Sequence, residues 1–177
     1  MTDAEFQTVF DEHKDAVYRF AWRLTGSAAA AEDIAQEVFL CLLRQAHRYD
    51  PLRGTLRSYL LGITRNLALK RWRDENRWEE LGDEEFIPQP VRIDNGDVAE
   101  SVGMAVRSLP ALQREVLILA EYEEMSLAEI ARTVDAEVGT VKSRLHRARE
   151  NLKRTLAPLN PAKTENKERS TSHGTTR

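Results

Sequence analysis

The stretch GTVKSRLHRARENLKR, residues 139 to 154, carries six Lys or Arg and one acid in a chain whose formal net charge is -3. Val141, Leu145, Ala148 and Leu152 recur at intervals of four, three and four, which places them in one apolar stripe of a helix. The opposite side then offers Ser143, His146, Arg147 and Glu150, flanked by Lys142, Arg144 and Arg149. Cations on such a face can meet phosphates, and Ser143, His146 and Arg147, nearest its centre line, can reach base edges. A structural helix with a solvated basic face would have the same composition, so the neighbouring residues decide between the two.

A second basic island lies at 65 to 77, where Arg65, Lys70, Arg71, Arg73 and Arg77 face only Asp74 and Glu75. Its Asn66 and Trp72 add an amide and a ring. That mixture suits unpaired nucleic acid: cations track the backbone, an amide reads an exposed base edge, and an aromatic face stacks a base for about 1–3 kcal/mol. Trp72 fits equally a core or interdomain contact, while Tyr59 reads as core. The rest of the chain is acidic, with eight acids against three cations over 1 to 40 and eight acids against Arg92 alone over 79 to 100. Net charge is therefore a poor guide, because phosphates respond to the field of a local patch, screened within about 8–10 Å.

These residues need elements to position them. Apolar residues recur at three and four throughout, without sustained alternation, and the expected fold class is all-α. A first helix is expected from Asp3 to Thr25, with Phe6, Val9, Phe10, Val17, Phe20, Ala21 and Leu24 inward and Gly26 ending it. Ser27 can cap a second, with Ile34, Ala35, Val38, Phe39, Leu42 and Leu43 inward. The second breaks at RYDPLRG, 48 to 54. A third is expected over 56 to 77 with Leu60, Ile63, Leu67 and Leu61 as its packing stripe. Residues 79 to 97, rich in acids, Pro and Gly, read as a flexible acidic linker.

Beyond the linker, Ser126 and Glu129 have the spacing of a capping box before the short apolar-faced helix SLAEIARTV. DAEVGT then turns the chain, with Asp135 able to adopt the left-handed conformation, and the basic helix follows. Short helix, tight turn and longer basic helix form the helix-turn-helix pattern, whose second helix enters the DNA major groove. The expected plan is two small helical domains, 1–78 and 98–157, with a disordered tail over 158–177.

Other chemistry finds little support. Cys41 is the only cysteine, which rules out an internal disulfide or a Cys-based zinc site, and it reads as a buried thiol. His13, His47, His146 and His173 lack metal-ligand spacing, and no phosphate-cradling glycine motif is present. No cofactor, metal or catalytic role is expected, and the chain does not read as an enzyme. No stretch approaches the roughly 20 apolar residues of a membrane span. The acidic, amphipathic start MTDAEFQTVFDEHKDAVY is unlike a signal peptide, so the expected location is the cytoplasm.

The segment from 109 to 156, opening LPALQREVL and ending in the GTVKSRLHRARE helix, resembles region 4 of bacterial RNA polymerase sigma factors of the extracytoplasmic-function (ECF) group. The resemblance implies recognition of the promoter -35 element by Lys142, Ser143, Arg144, His146, Arg147 and Arg149. Asp135 stands where that family usually has Gly, Glu137 where Pro or a small residue is common, and His146 at a variable position. DIAQEVFLCLLRQAHRYDP, 33 to 51, resembles the segment of sigma region 2 that grips the polymerase. Its outward strip of Asp33, Gln36, Glu37, Leu40 and Arg44 would then bind core RNA polymerase. An acidic helix start favoured by the helix dipole is the bland account of the same residues.

LRSYLLGITRNLALKRWRDENR, 56 to 77, resembles regions 2.3 and 2.4, which implies capture of melted -10 DNA by Arg65, Asn66, Lys70, Arg71, Trp72 and Arg73. The family habit also implies an anti-sigma partner. A helix-turn-helix operator regulator acting without polymerase, or a sigma-like decoy for an anti-sigma factor, would account for 109 to 156. The regulator leaves the first domain and the linker unassigned. Through the resemblance, the linker acids are expected to occupy the RNA exit path by imitating nucleic acid. Replacing them with Ser or Gln should change the profile of abortive and initial RNA products on a transcription gel, and an unchanged profile counts against that role.

Overall fold

In the computed structural model, which describes residues 1–74, 88 and 98–159, seven helices and two short 3-10 turns account for the regular structure, and no strand occurs among the described residues. Helix α1 spans Asp3–Thr25, α2 Ala28–Gln45 and α3 Leu56–Asp74. Helices α4 (Val98–Ser108), α5 (Ala111–Glu121), α6 (Leu127–Val134) and α7 (Val138–Thr155) complete the chain. The expected linker, the end of the third helix at 75–77 and the tail fall outside the described residues, apart from Pro88 and the turn Ala157–Leu159.

Local chemistry sets the helix ends. Thr2 and Glu5 form a capping box at the start of α1, and Gly26, at φ +71°, ends the helix in the left-handed region where a side chain would be strained. The Ser27 hydroxyl then accepts from the Ala30 amide to start α2. Ser126 and Glu129 form the second capping box. Asp135 adopts φ +51°, the conformation that lets α6 stop and α7 leave at an angle.

Helices α1, α2 and α3 form the first unit around Val17, Phe20, Leu24, Val38, Phe39 and Leu60. Phe10 and Phe39 meet edge to face across α1 and α2, with centroids 4.8 Å apart. Two expectations shift. Leu43 is 47% exposed rather than inward. On α3 the most buried positions are Leu60, Leu61, Thr64, Ala68 and Trp72, while Ile63 and Leu67 are only half-buried. Thr64 is accepted in the core because its hydroxyl donates to the Leu60 carbonyl at 2.8 Å.

Helices α4 to α7 form the second unit. Ile118, Leu119, Ile130, Val134, Val141, Leu145 and Ala148 fill its centre, and a buried Asn151 amide donates to Gln113 at 2.8 Å. The two units are not separate bodies. Helix α3 packs on α6, α1 packs on α4 and α5, and the buried apolar residues of both join in one cluster. Gly62 of α3 faces Thr133 of α6 so closely that an added Cβ would lie 3.7 Å from the Thr133 carbonyl oxygen.

Cys41 is half-buried rather than fully buried, and its thiol lies 3.8 Å from a Glu37 carboxylate oxygen. Desolvation first, then the neighbouring carboxylate, pushes the thiol above the ordinary cysteine range. Its thiolate fraction at neutral pH is thus below that of a free cysteine. Iodoacetamide should label Cys41 several-fold more slowly than glutathione at pH 7.4, with the rate climbing above pH 9, as intact-mass spectrometry would show.

The α6 cap sets a second prediction. Ser126 hydrogen bonds hold the Glu129 carboxyl below the usual range. A depressed carboxyl stabilises the fold above its unfolded pKa and loses that contribution as pH falls through its folded value. Ser126→Ala should cost about 1 kcal/mol near pH 7, and the gap between mutant and wild type in denaturant melts should narrow below about pH 4.

Candidate nucleic-acid interface

Helix α7 presents Lys142, Ser143, His146, Arg147 and Arg149 along its exposed face, opposite the buried Val141, Leu145 and Ala148. The Ser143 hydroxyl donates to the Thr140 carbonyl at 2.9 Å, and Arg149 is held by Glu121 at 2.6 Å. Arg144 differs from the others. Its side chain is 15% exposed and turns inward, with Nη1 4.0 Å from Glu115 Oε1.

The -10 set on α3 divides more sharply. Asn66, Lys70 and Arg73 are exposed. Asn66 borders an open groove lined also by Gln45, Arg48, Arg53 and Tyr59, so two amides, a ring and two cations converge there. Arg71 reaches Asp33 of α2 at 3.4 Å. Trp72 is buried at 6% exposure, and the Arg114 guanidinium of α5 sits 5.5 Å from its ring centroid. In this arrangement the ring makes the interdomain contact.

Arg65 also faces inward. Its Nε donates to Glu115 Oε2 at 2.7 Å and its Nη2 to Oε1 at 3.2 Å, a two-pronged pair between α3 and α5. Glu115 is fully buried. A second carboxylate, Glu123, is 4% exposed and pairs with Arg57 of α3 and, at 3.8 Å, with Arg23 of α1. Arg57 Nη1 also donates to the Glu123 carbonyl at 3.0 Å. Arg114 donates to the Leu24 carbonyl at the end of α1. The sequence reading missed Glu115, Glu123 and Arg114 as interdomain groups. A Glu inside the apolar run of LQREVLILA was the available signal, since a buried acid requires a cation beside it.

On α2 the expected polymerase strip stays together on the outer side. Asp33, Gln36, Leu40 and Arg44 are exposed, and Glu37 is half-buried with Arg44 3.8 Å away. Leu43 extends this strip with an apolar group. Among the described residues no cluster of His, Cys, Asp and Glu could hold a metal ion, and no helix is long and apolar enough to cross a membrane.

Comparison with known proteins agrees on both units. Residues 9–78 match the Sigma-70 region 2 family and residues 99–152 the Sigma-70 region 4 family. ECF RNA polymerase sigma factor SigL of Mycobacterium tuberculosis is 32% identical over 161 residues, covering 88% of this chain and 91% of SigL. SigW of Bacillus subtilis is 27% identical, with 87% and 90% covered. SigE of Mycolicibacterium smegmatis is 34% identical over 82% of this chain, which spans 59% of that longer relative. Among solved structures, the sigma factor RpoE in complex with the anti-sigma factor NepR from Bartonella quintana superimposes with a TM-score of 0.66 at 25% identity. That match covers 86% of this chain and 97% of RpoE. CnrH, in complex with the cytosolic domain of CnrY, shares the fold at a TM-score of 0.66 and 22% identity. With region 2 in α1 to α3, region 4 in α4 to α7 and SigL and SigW matched along about nine-tenths of their length, this chain belongs to the ECF sigma factors, which direct transcription initiation.

Proposed function

We propose that this ECF sigma factor binds core RNA polymerase through the α2 strip of Asp33, Gln36, Glu37, Leu40 and Arg44. Region 4 reads the duplex -35 element through Lys142, Ser143, His146, Arg147 and Arg149 on α7, with Arg144 in the adjoining position. Region 2 captures melted -10 DNA through Arg65, Asn66, Lys70, Arg71, Trp72 and Arg73. The observation that carries the reading is the exposed row on α7, set on the buried Val141, Leu145 and Ala148 stripe and joined in one chain to a separate mixed strip on α2.

The division of labour follows from chemistry. A rigid helix with Arg147 near its outward centre line can place a planar guanidinium against a base edge in the major groove. Asn66 and its neighbouring groove suit an unstacked base better than a duplex. The sigma factor holds no reaction chemistry in this reading; it supplies promoter choice, and polymerase supplies synthesis. It acts in the cytoplasm, and an anti-sigma factor is the third partner, in keeping with the complexes formed by its structural relatives.

Reconstituted transcription with core RNA polymerase on a pool of promoter fragments tests this. Wild type should give specific transcripts. Arg147→Ala should reduce them by roughly 10- to 100-fold, the loss of about 1–3 kcal/mol of base discrimination. Gln36→Ala should weaken polymerase binding in a pull-down while leaving duplex binding by the free chain intact. Tight duplex binding without polymerase, and no transcripts from any fragment, would overturn the assignment.

A further inference from the structure

The Arg65 contacts carry a consequence beyond promoter recognition. Both promoter-binding helices place an arginine on a single buried carboxylate. Arg65 of α3 makes a two-pronged pair with Glu115, and Arg144 of α7 lies 4.0 Å from the same group. A second buried carboxylate, Glu123, takes Arg57 and Arg23 from region 2. Region 2 thus supplies cations and region 4 the acids at both junctions. Trp72, the stacking ring of the -10 set, lies under Arg114 between them.

We infer that Glu115 is an intramolecular latch: it occupies Arg65 in place of a DNA phosphate and holds region 4 over the -10 surface until the units separate. The inference rests on the assignment of Arg65 and Trp72 to -10 DNA. A carboxylate and a phosphate offer a guanidinium the same planar pair of acceptors, so the two compete for one fork of donors. The closed chain has its -35 face exposed, and of its single-strand set it covers Arg65 and Trp72. Free protein therefore meets unpaired DNA without these two side chains, and opening exposes Arg65 and Trp72 together.

The test uses the full chain and a fluorescein-labelled oligo(dT), read by anisotropy over a salt series. Glu115→Gln keeps the shape of the side chain and removes its charge. It should bind oligo(dT) about ten-fold more tightly, with a salt slope steeper by about 0.7 for one added phosphate contact on a single strand. Arg65→Ala should weaken oligo(dT) binding several-fold more in the Glu115→Gln background than in the wild type. Unchanged affinity in Glu115→Gln, or an equal cost of Arg65→Ala in both backgrounds, overturns the latch.

A second variant guards against misfolding of Glu115→Gln. A Cβ at position 62 would lie 3.7 Å from the Thr133 carbonyl oxygen and 4.0 Å from its Cγ2, so positions 62 and 133 are neighbours across α3 and α6. Gly62→Cys with Thr133→Cys, in a Cys41→Ser background, should form an intramolecular disulfide in free protein on mild oxidation. The oxidised form should lose transcription with core polymerase and regain it on reduction. No disulfide in the free chain, or equal transcription by both forms, overturns the latch. Failure of the promoter-binding assignment reads differently: wild type with core polymerase then yields no transcripts, while the oligo(dT) cycle and the disulfide still report whether the units close.

Discussion

A charge removed from water must be paired, and Glu115 is the position at which that requirement organises this molecule. The residue sits in the middle of α5 between Arg114 and Val116, with no exposure, so solvent cannot neutralise it. Arg144 approaches it from α7, and Arg65 completes its hydrogen bonds from the other unit. Such a pair adds little over an apolar contact of equal volume, but removing one partner from a buried pair costs about 3–5 kcal/mol. Apolar burial supplies the bulk of the interface, and the two carboxylates pair across it with arginines of α1 and α3.

That arrangement separates the two proposed DNA surfaces, which the sequence presents alike. Lys142, His146 and Arg147 project from α7 because Val141, Leu145 and Ala148 anchor the opposite side within one unit. Arg65 and Trp72 lie on the side of α3 that meets the second unit. The α7 row is consequently preformed by intradomain packing, whereas the exposure of Arg65 and Trp72 on α3 depends on the position of the second unit.

Helix ends were legible because each rests on a local interaction: Gly26 at positive φ, Ser27 over the Ala30 amide, and Ser126 with Glu129. The stripe on α7 was legible because Val141 and Leu145 are strongly apolar. The buried face of α3 was harder to read, since it passes through Thr64 and Ala68, and a count of large apolar residues favours Ile63 and Leu67 instead. The outer strip of α2 followed from helical spacing, although its first turn, Ala28 to Ala31, holds no acid, and Leu43 reads as core and lies exposed. Arg65 and Glu115 are 50 residues apart in sequence, and a solvated cation has the same local signature as one aimed at a distant acid. Arg144 sits three residues after Val141 and one before Leu145, at the edge of the stripe, which is why helical spacing alone left it among the outward cations.

The two sets of partners available to Arg65 differ in their response to salt. Binding to phosphate releases condensed counterions, so its free energy weakens steadily as ionic strength rises. A pair with a fully buried carboxylate is screened far less, because mobile ions cannot enter the space around it. In the proposed exchange, raising salt therefore favours Glu115 over phosphate as the partner of Arg65. The same asymmetry distinguishes the Arg65 pair from that of Arg149, whose contact with Glu121 is exposed and screened by salt. At an ionic strength that screens the Arg149–Glu121 pair, the buried pair of Arg65 with Glu115 depends instead on the contact between the two units.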